Sequence, residues 1–176
     1  ICTDKKNGFL SVQIRVICVI RVLFCLYVGG SMKVRNIIAT KGGWVITIAP
    51  DEPVRRAVAL LVQHRIGALI VTDAEGRLVG ILSERDVVHA AAADEAVFGR
   101  PVGDIMTREV IVGMPQDDVL AVAHTMLEKR FRHLPIVDEG RLIGIISIGD
   151  VLKTQRDAYR GEMDTLETRL IAEGED

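Results

Sequence analysis

Gly144-Ile145-Ile146-Ser147-Ile148-Gly149-Asp150 has a counterpart sixty-four residues upstream, Gly80-Ile81-Leu82-Ser83-Glu84-Arg85-Asp86. Each copy reads as the end of a strand: a Gly, two aliphatic residues, then a Ser. An Asp follows three residues later, where a helix should begin. A single copy would carry little weight, but two in the same local context point to a duplicated unit.

The flanking sequence repeats in the same order. In the first repeat, Val34 to Ile38 and Trp44 to Ile48 read as a β-rich opening, and Pro50-Asp51-Glu52-Pro53 as a helix entry with Asp51 as N-cap. Val54, Ala57, Val58, Leu61 and Val62 recur at helical spacing, and Gly67 is expected to end that helix. Ala68 to Val71 and Arg77 to Leu82 form a hairpin across Asp73-Ala74-Glu75-Gly76, and Ser83 opens a second helix that runs to about Ala93. In the second repeat, Val102 to Met106 and Val110 to Met114 match the opening, and Pro115 to Asp118 the helix entry. Val119, Val122, Ala123, Met126 and Leu127 form the apolar stripe. Leu134 to Val137 and Leu142 to Ile146 form the hairpin, with Ser147 opening the closing helix.

The unit is thus β-α-β-β-α, an α/β (α+β) arrangement present twice. A three-stranded sheet with helices on one face leaves the other face bare, and one unit alone buries little surface. Two copies packed sheet to sheet with pseudo-twofold symmetry remove that problem. The expected division is an N-terminal extension over 1–31, repeats over 32–98 and 99–158, and a C-terminal tail over 159–176. That tail reads as amphipathic, with Met163, Leu166, Leu170 and Ile171 among charges and a fraying end.

Residues 1–31 differ from the rest. Phe9 to Val28 is apolar but interrupted by Gln13, Arg15 and Arg21. Each central Arg costs about 2.5–3.5 kcal/mol on insertion scales and each large aliphatic returns only about 0.3–0.6, so the balance is near zero. The favoured reading is an upstream extension with Met32 as the natural start. A membrane anchor and an added strand or docking segment are the alternatives. All three cysteines (Cys2, Cys18, Cys25) lie here, so the remainder holds neither a disulfide nor a cysteine metal site, which suits a reducing, cytoplasmic setting. After residue 31 there are 18 basic and 23 acidic residues without a basic block, which argues against a nucleic-acid partner.

Ser followed three residues later by an acid resembles a capping box, the structural explanation of both copies. Three features argue for more. Asp is shorter than the usual Glu or Gln and is expected to reach back poorly. Gly149 stands in the first helical turn, where Gly costs about 1 kcal/mol against Ala, so close approach of a ligand would account for it. The Gly three residues before each Ser suggests a further close approach. A helix N-terminus attracts phosphate, and an acceptor-only carboxylate suits the vicinal hydroxyls of a ribose. Ser and Asp one turn apart therefore suit a nucleotide. Lys129 and Arg130 read as helix-end cations, whereas Arg132-His133 at the next strand reads as phosphate-facing. The first repeat has Ile66 where the second has Arg132. On that basis Ser147–Asp150 is the stronger site of the two.

The repeated β-α-β-β-α order, Arg132-His133-Leu134-Pro135-Ile136-Val137 and the Gly-x-x-Ser-x-x-Asp endings together resemble tandem cystathionine-β-synthase (CBS) domains over residues 33–156. That resemblance implies a regulatory module binding AMP, ADP, ATP, NAD or S-adenosylmethionine in clefts between the repeats. It also implies a homodimer and a regulated partner protein. It assigns Asp86 and Asp150 to the ribose, and Ser83, Ser147, Arg132, His133 and Thr107 to the phosphate; Thr40 matches Thr107 only approximately. No catalytic function is expected, because Ser83, Asp86 and His89 share one helix without orienting a base onto a nucleophile. His64, His89, His124 and His133 lack metal-ligand spacing. The alternative from a different class is a dimerisation scaffold that binds no ligand.

Overall fold

The computed structural model describes residues 32–173. The expectations for residues 1–31 and 174–176 lie outside the described residues, and those for Met163, Leu166, Leu170 and Ile171 outside the described side chains. The elements are α1 (Val34–Lys41), β1 (Thr47–Ile48), α2 (Val54–His64), β2 (Ala68–Thr72), β3 (Leu78–Ser83) and α3 (Glu84–Ala93) in the first repeat. Short 3₁₀ turns at Glu95–Gly99 and Val102–Asp104 follow. Then come α4 (Val119–Glu128), β4 (His133–Asp138), β5 (Arg141–Ser147) and α5 (Ile148–Glu173).

The first sheet has the order β1-β2-β3, with β1 parallel and β3 antiparallel to β2. In the second repeat β4 pairs antiparallel with β5, and Gly113 replaces β1 by a single parallel pairing with Ile136. That pairing lies sixty-six residues after Thr47↔Ile70, so the duplication extends to strand register. Side chains alternate between layers, as strand geometry requires. Leu69, Val71 and Leu82 pack under the first repeat's helices, whereas Ile70, Leu78, Val110 and Val112 form a separate layer with Val137, Leu142 and Ile145 from the other sheet. Leu134, Ile136 and Ile146 face the second repeat's helices. The sheets therefore pack face to face with helices outside, as the repeat pattern implies.

Several local expectations need correction. Val34 to Ile38 is helical, because Val34, Ile37 and Ile38 follow the i, i+3, i+4 spacing of one helix face rather than the alternation of a strand. Val102–Asp104 forms a 3₁₀ turn rather than a strand, and Val110 to Met114 contributes isolated bridges, that of Gly113 with Ile136 among them, rather than a strand. Asp51 does not cap α2: the N-cap is Pro53, and the free Val54 amide donates to the Arg100 carbonyl at 2.9 Å. Gly67 does not end α2 either. Arg65 does, in a left-handed conformation with φ of 52°. Val62 and Leu127, placed on the buried stripes, are 73% and 69% exposed.

The segment preceding each repeat packs on the other repeat. Val34 and Ile37 are buried against Val119, Val122 and Met126, while Val102 and Met106 are buried against Val54, Leu61 and Leu82. Burying each such side chain contributes roughly 1.5–3 kcal/mol. Matching backbone bonds accompany the exchange. Val34 N–H donates to Asp117 and Val119 N–H to Met32, both at 3.0 Å; in the other half Val102 donates to Glu52 at 2.8 Å and Val54 to Arg100 at 2.9 Å. This crossing explains the two glycines. A Cβ on Gly80 would stand 2.5 Å from Met106 Sδ and 3.1 Å from the Thr107 carbonyl oxygen, and one on Gly144 would stand 2.6 Å from Ile38 Cδ1. The close approach expected of these glycines is made by the crossing segments.

Gly80→Val is therefore expected to lower stability by about 1–3 kcal/mol through overpacking, and adding Met106→Ala to recover part of that loss. Urea denaturation checks both. An unchanged midpoint for Gly80→Val would contradict the crossing of residues 102–107 over β3.

Candidate functional site

β3 and α3 meet at Ser83, whose Oγ accepts from the Asp86 amide at 3.4 Å. Asp86 reaches back after all: its Oδ2 accepts from Ser83 N–H at 2.8 Å and Ser83 Oγ at 2.7 Å. Asp150 Oδ2 does the same with Ser147, at 2.7 Å and 2.8 Å. The shorter side chain suffices because the donors sit at its own helix entry. The capping function is therefore real in both repeats, and it occupies one carboxylate oxygen. The two lone pairs of Asp86 Oδ2 are filled by Ser83, while Oδ1 has no hydrogen-bond partner among the described residues.

Asp86 opens onto a cavity of about 330 Å³ between the repeats. Its first wall is Ile81, Ser83, Arg85 and Asp86. Its second is Thr107, Glu109, Val110 and Ile111, and Lys129 to His133 close it. Thr107 arrives there because its backbone pairs antiparallel with Ile81, with N–H to O distances of 2.9 and 3.0 Å, continuing the sheet past β3. Arg132 and His133 arrive because α4 ends at Glu128 and Arg130 takes a left-handed φ of 57°, turning the chain into β4. Arg130 makes the same turn at the end of α4 that Arg65 makes at the end of α2.

Five of the sequence-derived site residues thus share one cavity: Ser83, Asp86, Thr107, Arg132 and His133. Ser147 and Asp150 lie outside its lining. Arg132, taken from sequence as support for Ser147–Asp150, instead faces the Ser83–Asp86 cleft, because the clefts are built between repeats rather than within one. Lys129 and Arg130 also reach the cavity wall. Sequence reading missed Arg85, Glu109, Phe131 and the apolar Ile81, Val110 and Ile111. Their only sequence signal is proximity to Ser83, Asp86, Thr107 and Arg132. It missed Lys41 too, whose Nζ donates to Asp150 Oδ2 at 2.7 Å and to the Ile145 carbonyl at 3.2 Å.

Two titrating groups register this geometry. Burial holds the His133 imidazole below its ordinary 6.5, with the Arg132 and Lys41 charges adding to the effect and Glu84 and Asp150 opposing it. Its ring packs on Gly67, where a Cβ would lie 2.9 Å from Cε1, which gives that glycine its role. Burial acts to raise Asp150, but hydrogen bonds from Lys41 and Ser147 and the Lys41 charge overcome it and leave the carboxyl below its ordinary 3.8. Among the described residues no cluster of three or more His, Cys, Asp or Glu is arranged to hold a metal ion. No described helix is long and apolar enough to cross a membrane.

A family model described as CBS domain matches residues 45–93 and again 102–157. The chain is 32% identical over 111 residues to the CBS domain-containing protein YhcV of Bacillus subtilis, covering 63% of this chain and 79% of that one. Inosine-5′-monophosphate dehydrogenase of Methanocaldococcus jannaschii is 38% identical over 113 residues, covering 64% of this chain but only 22% of the enzyme. Among solved structures, a CBS-domain protein of Agrobacterium tumefaciens superposes with a TM-score of 0.69 at 39% identity, covering 70% of this chain and 99% of that one. The CBS domain pair of protein MJ0100, solved with 5′-methylthioadenosine and S-adenosyl-L-methionine, gives 0.65 at 27% identity and covers 73% and 98%.

Folding lowers the His133 pKa, so below 6.5 the unfolded chain takes up the proton first. Its contribution to stability is full above that pH and is lost as the pH falls toward the lowered folded value. Chemical denaturation between pH 7.5 and 5 is expected to show this decline in the wild type and a smaller one in His133→Asn. Equal slopes would contradict the burial of a neutral imidazole at this position.

Proposed function

The chain belongs to the CBS-domain family, and from that premise we propose that it is a regulatory module that binds an adenine nucleotide (AMP, ADP, ATP or NAD) between its repeats and controls a partner protein through the resulting conformational change. The observation that carries this reading is the cavity at Asp86. It combines an unengaged carboxylate oxygen, apolar side chains and a group of cations, which are the three chemistries that a ribose, a base and a phosphate require. Asp86 Oδ1 accepts from the ribose hydroxyls. Ile81, Val110 and Ile111 offer apolar surface to the base. Arg132, with Thr107 and His133, receives the phosphate, and Arg contributes charge-assisted and bidentate bonds there. A bound phosphate also reverses the unfavourable cationic surroundings of His133. The adenosine compounds held by the MJ0100 pair support this class of ligand.

Ser147 and Asp150 form the pseudo-equivalent place in the second cleft. Gly149 is compatible with a ligand there, since a Cβ would meet nothing nearer than Ser147 Oγ at 3.5 Å. We propose further that the module works as a homodimer in the cytoplasm. Val62, Val88, Leu127 and Leu152, between 60% and 73% exposed on α2 to α5, favour docking of a second copy, and the same exposure is what a ligand-free scaffold would use.

The experiment is a thermal-shift titration with AMP, ADP, ATP and NAD. At about a hundred times Kd, ligand stabilises by roughly 2.7 kcal/mol, which is a rise of about 5–10 °C for a chain of this size. Asp86→Asn keeps the shape but loses charge-assisted bonds worth about 1.5–3 kcal/mol, so affinity is expected to fall at least about tenfold. Unchanged affinity would remove Asp86 from the site, and no shift with any nucleotide would favour the scaffold.

A further inference from the structure

The two clefts are built by the same duplication but finished differently. In the first, the Ile81 carbonyl accepts from the Thr107 backbone amide at 2.9 Å, and the space between Ile81, Ser83 and Asp86 belongs to the cavity. In the second, the equivalent residues are Ile145, Ser147 and Asp150. There the Ile145 carbonyl accepts instead from Lys41 Nζ at 3.2 Å, and the same ammonium bonds Asp150 Oδ2 at 2.7 Å. Lys41 thus takes the place on the strand edge that the Thr107 amide holds in the first cleft, and it adds an ion pair to the carboxylate that has none there.

The cause lies in the crossing segments. Val34, Ile37 and Ile38 correspond to Val102, Ile105 and Met106, sixty-eight residues on, and at that offset Lys41 corresponds to Glu109. The first segment stays helical through Lys41, whereas the second leaves its 3₁₀ turn at Asp104 and extends into the Thr107 pairing. A helix offers β5 no backbone edge, so a side chain at its end takes that role. This chain places a cation there, while in the other half an acid occupies the aligned position. The Lys41 contact is well formed: the Asp150 side chain is 24% exposed, its Oδ2 carries three donors, and the carboxyl titrates below its ordinary range. Asp86 makes no ion pair among the described residues.

On the nucleotide-binding reading above, we infer that Lys41 selects between the clefts: it holds the Ser147–Asp150 cleft closed to the ribose diol, so the chain takes one adenine nucleotide, at Ser83–Asp86. Lys41 bonds Asp150 Oδ2 and leaves Oδ1 without a partner among the described residues, so it acts by position: a ribose diol approaching Oδ1 meets an ammonium that bridges the carboxylate and the strand edge. Losing one charge-assisted bond of this kind corresponds to about a tenfold or greater weakening.

Isothermal titration of the full chain with AMP and with ATP, in wild type, Lys41→Met and Lys41→Gln, tests this. Both substitutions keep a similar stem and remove the charge, and Lys41 is exposed at a helix end, so the fold is expected to persist. Wild type should take up one nucleotide per chain. Both variants should gain a second event at least about tenfold tighter than any second event in wild type, and adding Asp150→Asn should abolish it. Two comparable sites in wild type, or no second event in either variant, would overturn the inference while leaving the nucleotide-binding reading intact. No binding by wild type to either nucleotide would overturn both.

Discussion

Each repeat's core is completed by chain from the other repeat, and that exchange constrains everything else. Val34 and Ile37 belong in sequence to the first repeat but are buried in the core of the second, and Val102 and Met106 do the reverse. Neither repeat closes its own core. The backbone bonds at the crossings, such as Val119 to Met32 and Val54 to Arg100, also supply partners for first-turn helix amides that have none within their own helix. The crossings need close backbone approach, and Gly80 and Gly144 permit it.

The same exchange makes the site. A strand end and helix start from one repeat supply Ser83 and Asp86. The segment crossing over them supplies Thr107, and the loop into β4 brings Arg132 and His133. No single repeat contains this combination, so a change in how the repeats meet alters the cavity directly. A ligand contacting both sides favours one arrangement of the two halves. Regulation requires that property, since a ligand shifts an equilibrium only by its differential affinity for the two states.

Much of this was legible in the sequence. The doubled Gly-x-x-Ser-x-x-Asp stretch located both strand-to-helix junctions, and the first hairpin turns at Asp73 to Gly76, where its turn residues put it. The failures share a physical origin. Val34 to Ile38 was read as a strand because a short apolar segment shows little of its period. Gly80 and Gly144 signal a close approach in the sequence but not what makes it, because the residues that crowd them, Met106 and Ile38, are distant in sequence. Arg132 was assigned to the cleft of its own repeat for the same reason. Lys41 carried no local signal, since its partners Ile145 and Asp150 lie more than a hundred residues away. Periodicity and capping are local and can be read from sequence, whereas which cation faces which carboxylate is set by the crossing.

The central claim is that a nucleotide occupies the space between Asp86 and Arg132, spanning the two repeats. Backbone amide NMR during titration with AMP tests it most directly. The resonances of Ser83, Asp86, Thr107 and Arg132 should move together along one saturable curve, while Ser147 and Asp150 change far less. Shifts centred on Ser147 and Asp150, with Thr107 and Asp86 unmoved at saturation, would contradict it.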